Sequence, residues 1–266
     1  HLYDLFDSKE NVAFFLSYAS MGGKILDVGA GTGRIAIPLA EQGAHVVCVE
    51  PSAAMRRVFE RKLARRPALR DRIELVPAGA ARFSLARTLP VAYMSGVFGH
   101  FLDREERQAA LRNTIEHVDP GGLLVFDVFL GLMGATPLSS AGHVRDGDSE
   151  HRRFVGREVL SEDRVKVRLI YETRRDGKVV GLLEEESLVG ITSREEIHLL
   201  LTDVGAVVAN EFSDYEGAPY REGDDLLIIE AVRRRSFRDA GGRTDEQSRA
   251  HVLQVQRTPK VHRTGG

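Results

Sequence analysis

The sequence predicts an α/β fold in which helices flank a doubly wound, mostly parallel sheet. Apolar, β-branched runs alternate with segments of helical periodicity, and glycine-rich or polar turns separate them. This alternation extends over most of the 266 residues, 42% of which are hydrophobic. A chain of this size can bury one large core together with a small appended element. We therefore expect one main domain that carries an insertion.

The first half of the chain supplies five strands and the helices that connect them. Ser52 and Asp103 are expected N-caps, because a side-chain oxygen at that position accepts a free backbone N–H. The predicted strands are KILDVG (24–29), AHVVCVE (44–50), RIELVPAG (72–79), VAYMSGVFGHF (91–101, running into a loop) and LLVFDVF (123–129), the last preceded by a DPGG turn (119–122). The predicted helices cover residues 11–19, 34–43, 52–66 and 103–118.

The pattern changes after residue 130. Residues 131–151 are small and polar and are predicted to form a loop, whereas residues 152–191 alternate apolar and polar positions, which predicts antiparallel strands. A helix and two strands are expected between residues 192 and 235. The predicted units are 1–24 (N-terminal segment with a helix), 25–151 (core), 152–191 (antiparallel insertion), 192–235 (remainder of the core) and 236–266 (flexible tail or oligomer arm).

Charge and cysteine content restrict the function classes. With 37 basic and 39 acidic residues, the chain has no net positive field that would hold nucleic acid. Cys48 is the only cysteine, which excludes an intramolecular disulfide and a cysteine-based zinc site. Asp127 interrupts the apolar run GLLVFDVFL, and no secretory signal pattern is present. We expect a soluble, cytoplasmic protein without nucleic-acid or membrane partners.

The turn LDVGAGTG (26–33) is the strongest functional signal. Gly29, Gly31 and Gly33 are evenly spaced, unlike the G-x-G-x-x-G of dinucleotide sites, and they allow a nucleotide-like ligand close to the backbone. Asp27 precedes the turn, where it can meet an ammonium group. Glu50 ends the next strand, where a carboxylate can accept both ribose hydroxyls. Together these features fit S-adenosylmethionine, which has an amino group and a ribose but no phosphate.

The segments ILDVGAGTGRIAIPLA and VVCVEPSAAM resemble the first two motifs of class I S-adenosylmethionine-dependent methyltransferases. The resemblance is close over residues 25–130 and looser to 235. It implies a Rossmann-like, doubly wound seven-stranded sheet with the last strand reversed, a small inserted antiparallel β element, S-adenosylmethionine as the cofactor and no metal. The positions that match the family's cofactor contacts are Asp27, Gly29, Ala30, Gly31, Gly33, Glu50, Pro51, Met55, Gly79, Ala80, Val97 and Phe98.

One position departs from the family pattern. Gly79 stands where many members carry an acid that accepts the adenine amino group. We therefore expect backbone groups around Ala80 and apolar contacts such as Met55 to hold the adenine.

The loop after the fourth strand is expected to face the transferred methyl group, because ligands bind at the carboxyl end of such sheets. His100 can orient or deprotonate an amine there, or it can satisfy loop carbonyls. Phe98 and Phe101 can wall the methyl region, or they can be core aromatics. Tyr3 resembles the tyrosine that glycine N-methyltransferase-like and amino-sugar N-methyltransferases place over the site from an N-terminal lid.

Tyr171 and Tyr220 are candidate substrate contacts, with cross-strand packing and a surface loop as the respective alternatives. The acidic run 184–186 can attract an amine or be a solvated strand face. The prediction is methyl transfer to an amine nitrogen of a small molecule in bacterial secondary-metabolite (antibiotic) biosynthesis, by a homo-oligomer. Methylation of oxygen or carbon and a non-catalytic S-adenosylmethionine-binding module are the alternatives, and the glycine spacing disfavours a nicotinamide dehydrogenase.

Overall fold

Two β-sheets organise the chain. The computed structural model describes residues 2–6, 10–19 and 23–235, so the predicted tail or oligomer arm at 236–266 lies outside the described residues. One sheet has seven strands in the order β10-β11-β5-β4-β1-β2-β3, and the other has four in the order β6-β7-β8-β9. The predicted fold class, a doubly wound sheet with an inserted antiparallel element, is confirmed.

The seven-stranded sheet is parallel from β3 to β5. Its strands are β1 (Lys24–Val28), β2 (His45–Val49), β3 (Ile73–Val76), β4 (Leu89–Met94), β5 (Val118–Phe129), β10 (Ala206–Phe212) and β11 (Leu226–Arg233). The last strand, β11, runs antiparallel to both β5 and β10, as the resemblance implies. Because β1, β4 and β5 are parallel neighbours, their carboxyl ends meet at one edge, which is called the carboxyl edge below.

Helices cover both faces of this sheet. They are α1 (Leu2–Leu5), α2 (Glu10–Leu16), α3 (Ala36–Glu41), α4 (Ala53–Ala64), α5 (Arg104–Glu116) and α6 (Arg194–Asp203). Ser52 and Asp103 cap α4 and α5 by accepting the N–H groups of Met55 and Glu106, as predicted. Within the described residues, none of the helices is both long and apolar enough to cross a membrane.

The apolar core lies in two layers, one on each face of the sheet. Successive strand residues point to opposite faces, so Ile25 belongs to one layer and Leu26 to the other. Phe15 of α2 and Leu39 of α3 pack in the layer of Ile25. Residues of α5 and α6 pack in the layer of Leu26. This arrangement leaves the carboxyl edge between the layers free to carry polar groups.

Two local predictions were wrong. Most of the predicted loop 131–151 forms β6 (Thr136–Asp146) and the start of β7 (Ser149–Ser161). Most side chains of β6 are exposed, so backbone pairing with β7 determines the strand, and the sequence carries little hydrophobic alternation. The predicted turn at 119–122 lies inside β5, where Gly121 has a positive φ of 84° and the register with β4 shifts. It is an irregularity within a strand.

The four-stranded sheet is a chain of antiparallel hairpins. β7 pairs with β8 (Arg164–Arg175), which pairs with β9 (Lys178–Gly190). Asp176 and Gly177 both have positive φ at the β8–β9 turn, as in type I′ hairpin turns. The strands therefore occupy residues 136–190, so the antiparallel element begins before the expected position 152.

Candidate functional site

The glycine turn connects β1 to α3, and its three glycines have different roles. All three have positive φ. A side chain at Gly29 would overlap Val97 of the loop after β4, and one at Gly33 would overlap the Phe59 ring of α4. Nothing lies within 4 Å of the side-chain position at Gly31. Packing thus requires Gly29 and Gly33, and Gly31 leaves open space where a ligand can approach the backbone.

Glu50 joins this turn to the loop after β2. Its Oε2 accepts the Gly31 N–H at 2.8 Å and its Oε1 accepts the Ser52 N–H at 2.7 Å. The side chain is buried. An ionised carboxylate has about four acceptor positions, so each oxygen keeps one after these bonds. Two free acceptor positions suit the two hydroxyls of a ribose, as the sequence predicts.

Asp27 lies on β1 directly before the turn and is 3% exposed. Burial raises the pKa of its carboxyl to about 7, an effect opposed by the neighbouring Tyr93 hydroxyl and increased by the charge of Glu50. A cationic group beside Asp27 would favour the ionised carboxylate. Asp27 therefore fits the predicted contact with an ammonium group.

A small polar cavity of about 50 Å³ opens beside Asp27. It is lined by Asp27, Gly29, Ala30, Gly31, Thr32, Arg34, Ile35 and Ser95. Five of these residues belong to the predicted motif, and the other three, Arg34, Ile35 and Ser95, come from the residues after the turn and from the end of β4. Its volume suits one polar end of a ligand.

The N-terminal helix α1 contacts the glycine turn from outside the sheet. Thr32 donates its hydroxyl to Asp4 Oδ1 at 2.6 Å, and Lys62 of α4 forms an ion pair with Asp4 Oδ2 at 2.9 Å. The backbone of Tyr3 belongs to this helix, but its side chain lies outside the described part of the chain. The role of Tyr3 as a lid residue stays a prediction.

A polar network that the sequence analysis missed lies at the carboxyl edge. Asp127 at the end of β5 accepts the Gly96 N–H at 2.6 Å, the Ser95 hydroxyl at 2.8 Å and the Tyr215 hydroxyl at 2.9 Å. Asn11 of α2 donates to Ser95 at 3.2 Å. Burial raises the pKa of Asp127, and these three donors oppose the shift. The network fixes the start of the loop that follows β4.

That loop contains the residues predicted to face the methyl group. Val97 packs against the glycine turn. Phe98 is buried and stacks on Phe126 at 5.1 Å, and Phe101 meets Phe98 edge-on at 5.9 Å. His100 is exposed. The two phenylalanines are thus core aromatics in this arrangement, whereas the imidazole is accessible, and their predicted contacts with cofactor or substrate stay predictions.

The residues predicted to hold the adenine lie at the ends of β2 and β3. Pro51 is exposed and Met55 is half-buried in the first turn of α4. The Gly79 carbonyl accepts N–H groups of Arg82 and Phe83, and the Ala80 carbonyl accepts the Asn113 side chain at 2.9 Å. Both carbonyls already have partners.

The two predicted substrate tyrosines have different surroundings. Tyr171 of β8 is buried, and its ring lies 5.6 Å from that of Phe6. Tyr220 lies beside Arg194, whose guanidinium is 5.8 Å from its ring centroid. Its N–H bonds to Glu211 of β10, an edge strand four positions from β1. The roles of Tyr171 and Tyr220 as substrate contacts stay predictions.

Comparisons with known proteins agree with this geometry. Residues 25–122 match the family model described as a methyltransferase domain. The cypemycin N-terminal methyltransferase of a Streptomyces species is 26% identical in an alignment of 232 positions that covers 82% of this chain and 88% of that protein.

Two solved structures share the fold. An S-adenosylmethionine-dependent methyltransferase from Clostridium acetobutylicum has a TM-score of 0.71 at 15% identity, covering 86% of this chain and 93% of that one. A sugar N-methyltransferase from a Streptoalloteichus species has a TM-score of 0.66 at 21% identity, covering 86% and 88%. The match identifies a methyltransferase domain at residues 25–122, and the similar proteins together with the shared fold support an S-adenosylmethionine-dependent methyltransferase.

Proposed function

We propose that the enzyme transfers the methyl group to an amine nitrogen of a small molecule in secondary metabolism. The cofactor, when bound, supplies an electrophilic methyl group on a sulfonium sulfur. Two of the similar proteins act on nitrogen, one on the N-terminus of cypemycin and one on a sugar. The observation that carries the proposal is the accessible imidazole of His100 in the loop that the Asp127 network fixes.

Methyl transfer to an amine requires few catalytic groups from the protein. A neutral amine nitrogen attacks the methyl carbon while the carbon–sulfur bond breaks, and the nitrogen then loses a proton. The site must align the two atoms and accept that proton. An imidazole is a residue type that can accept this proton. Ser95 and Gly96 hold the loop of His100 through their bonds to Asp127.

We predict nitrogen selectivity in a matched acceptor screen. Pairs that differ only in the nucleophile, such as an amino sugar and its hydroxy analogue, are incubated with cofactor and analysed for the mass gain of one methyl group. The amine member should gain the methyl group and the hydroxy member should not. His100→Asn should lower kcat more than it changes KM. Methylation of the hydroxy members alone would favour the oxygen alternative.

We further propose that Glu50 binds the cofactor ribose through its two free acceptor positions. Glu50→Gln should weaken S-adenosylmethionine binding about tenfold or more, since a hydrogen bond to a charged group is worth roughly 1.5–3 kcal/mol. Isothermal titration calorimetry measures this change. Glu74→Gln is the matched control, because Glu74 is a half-exposed acid of the next strand that pairs with Arg87. Equal affinities of both variants and the wild type would contradict this role.

The raised pKa of Asp27 predicts pH-dependent cofactor affinity. Below the pKa of about 7, Asp27 must lose a proton before its carboxylate can pair with the ammonium group. Affinity should therefore rise by up to about tenfold per pH unit between about pH 5 and pH 7, and then level off. Asp27→Asn should bind more weakly and lose this slope. An unchanged slope in that variant would assign the titration to another group.

We also propose a homo-oligomer that forms through the four-stranded sheet. Near the β8–β9 turn this sheet exposes neighbouring large apolar side chains, among them Val179 (51% exposed), Val180 (57%) and Leu182 (65%). Clustered apolar exposure of this kind is typical of protein interfaces.

The single buried cysteine, Cys48, suits the further proposal that the enzyme works in the reducing cytoplasm.

Sedimentation velocity tests the oligomer proposal. Leu182→Asp should shift the wild-type oligomer toward the monomer, because a charge on an apolar interface must be desolvated. Leu199→Asp is the control, since Leu199 of α6 is similarly exposed (58%) but belongs to the other sheet's helical layer. A monomeric wild type, or equal dissociation in both variants, would refute the assignment.

A further inference from the structure

The two faces of the four-stranded sheet differ in how their charged side chains are paired. Residues directly opposite each other in an antiparallel ladder share a face. Arg152 pairs with Glu172, and Arg153 pairs with Tyr171. The paired face carries Glu150, Arg152, Lys166, Arg168, Glu172 and Arg174. The arginine face, on the other side, carries Arg153, Arg157, Val167 and Tyr171.

Each charge named on the paired face has an opposite partner nearby. Arg152 bonds to Glu150 at 2.8 Å, Arg174 to Glu172 at 2.5 Å and Lys166 to Glu158 at 2.5 Å, and Arg168 forms an ion pair with Glu184. This face is therefore electrostatically balanced.

The arginine face lacks this balance. Arg153 and Arg157 are half-buried and form no ion pair with any described residue. Arg153 donates to the carbonyls of Ala141 and Phe6, at 3.2 and 3.4 Å, and its Nε is buried without an acceptor. Arg157 donates to the Gly131 carbonyl at 3.1 Å and to Thr136. All the acceptors on these two guanidinium groups are neutral.

The arginine face is turned toward the carboxyl edge of the main sheet. Tyr171 packs against Phe6, which directly follows α1, the helix that contacts the glycine turn through Asp4. Val189, on the same face of β9, lies against Gly99 in the loop after β4. Arg157 reaches Gly131 just beyond β5. The face thus touches the segments that follow β4 and β5, and it touches Phe6 at the end of α1.

Two partly desolvated cations without a counter-ion favour an anion nearby. The planar guanidinium also matches the geometry of a carboxylate or phosphate. The other titratable groups on this face are His151, which bonds to Thr173, and four exposed residues, the acids Asp146 and Glu185 and the bases Arg175 and Lys178. Of the acidic run 184–186, Glu184 and Glu186 belong to the opposite face, so the arginine face keeps a positive charge.

We propose that Arg157 binds an anionic group of the methyl acceptor, a carboxylate or a phosphate, and that Arg153, four residues away on the same face of β7, adds positive charge to the surroundings of this anion. The acceptor is then an amine that also carries a negative charge. This inference rests on the proposed transfer to nitrogen and adds the substrate class.

Thermal unfolding in the presence of inorganic phosphate or acetate, at constant ionic strength, tests the site without catalysis. An anion that binds the native state raises Tm in a saturable way. We expect this for wild type, an apparent affinity lower by about tenfold or more in Arg157→Gln, a smaller loss in Arg153→Gln, and no change in Arg168→Gln of the paired face. The anion that gives the larger shift identifies the preferred group. No saturable shift in wild type, or an equal loss in Arg168→Gln, would overturn the proposal.

Acceptor pairs separate this inference from the proposed function. A short peptide and its C-terminal amide, or an amino alcohol and its phosphate ester, differ in the anion but share the amine. Wild type should prefer the anionic member in kcat/KM, and Arg157→Gln should reduce that preference while cofactor affinity is unchanged. Methylation of amines with no anion preference would refute the inference alone. Methylation of oxygen only, with the phosphate shift intact, would refute the nitrogen assignment and leave the anion site.

Discussion

The carboxylate of Glu50 is the interaction on which the cofactor end of the molecule depends. It accepts one N–H from the glycine turn and one from Ser52 before α4, so it joins the loops that follow β1 and β2. The same geometry leaves Gly31 facing open space. Because both N–H groups bond to one carboxylate, the two loops are already joined without a ligand, so binding at the proposed ribose site would not require ordering of these loops.

The parts of the fold that the sequence predicts are those encoded by neighbouring residues. A strand, an evenly spaced glycine turn and a helix stand together in LDVGAGTG, and the caps Ser52 and Asp103 lie directly before their helices. The order of the central strands follows from the same units, since short right-handed connections restrict where each strand can go. Glu50 could be predicted because its partner Gly31 belongs to a recognisable motif.

The parts that the sequence did not predict depend on pairing between distant segments. Asp127 was interpreted as an interruption of an apolar run, yet it is a buried acid at the end of β5, comparable to Asp27 at the end of β1. Its donors Ser95, Gly96 and Tyr215 come from other parts of the chain. No sequence pattern around Asp127 therefore predicts these hydrogen bonds. An acid near the end of a buried parallel strand is itself the available signal. Similarly, β6 is recognised as a strand only from its backbone pairing with β7.

Residues 2–6 contact both the glycine turn and the arginine face. Asp4 bonds to Thr32 of the glycine turn and pairs with Lys62, while Phe6, two residues later, lies against Tyr171 and under the Arg153 guanidinium. Two residues span at most about 7 Å of backbone, so a displacement at one of these contacts acts on the other. A ligand at the glycine turn and an anion at the arginine face would therefore act on the same short segment, which would give the two proposed binding events a physical route for coupling.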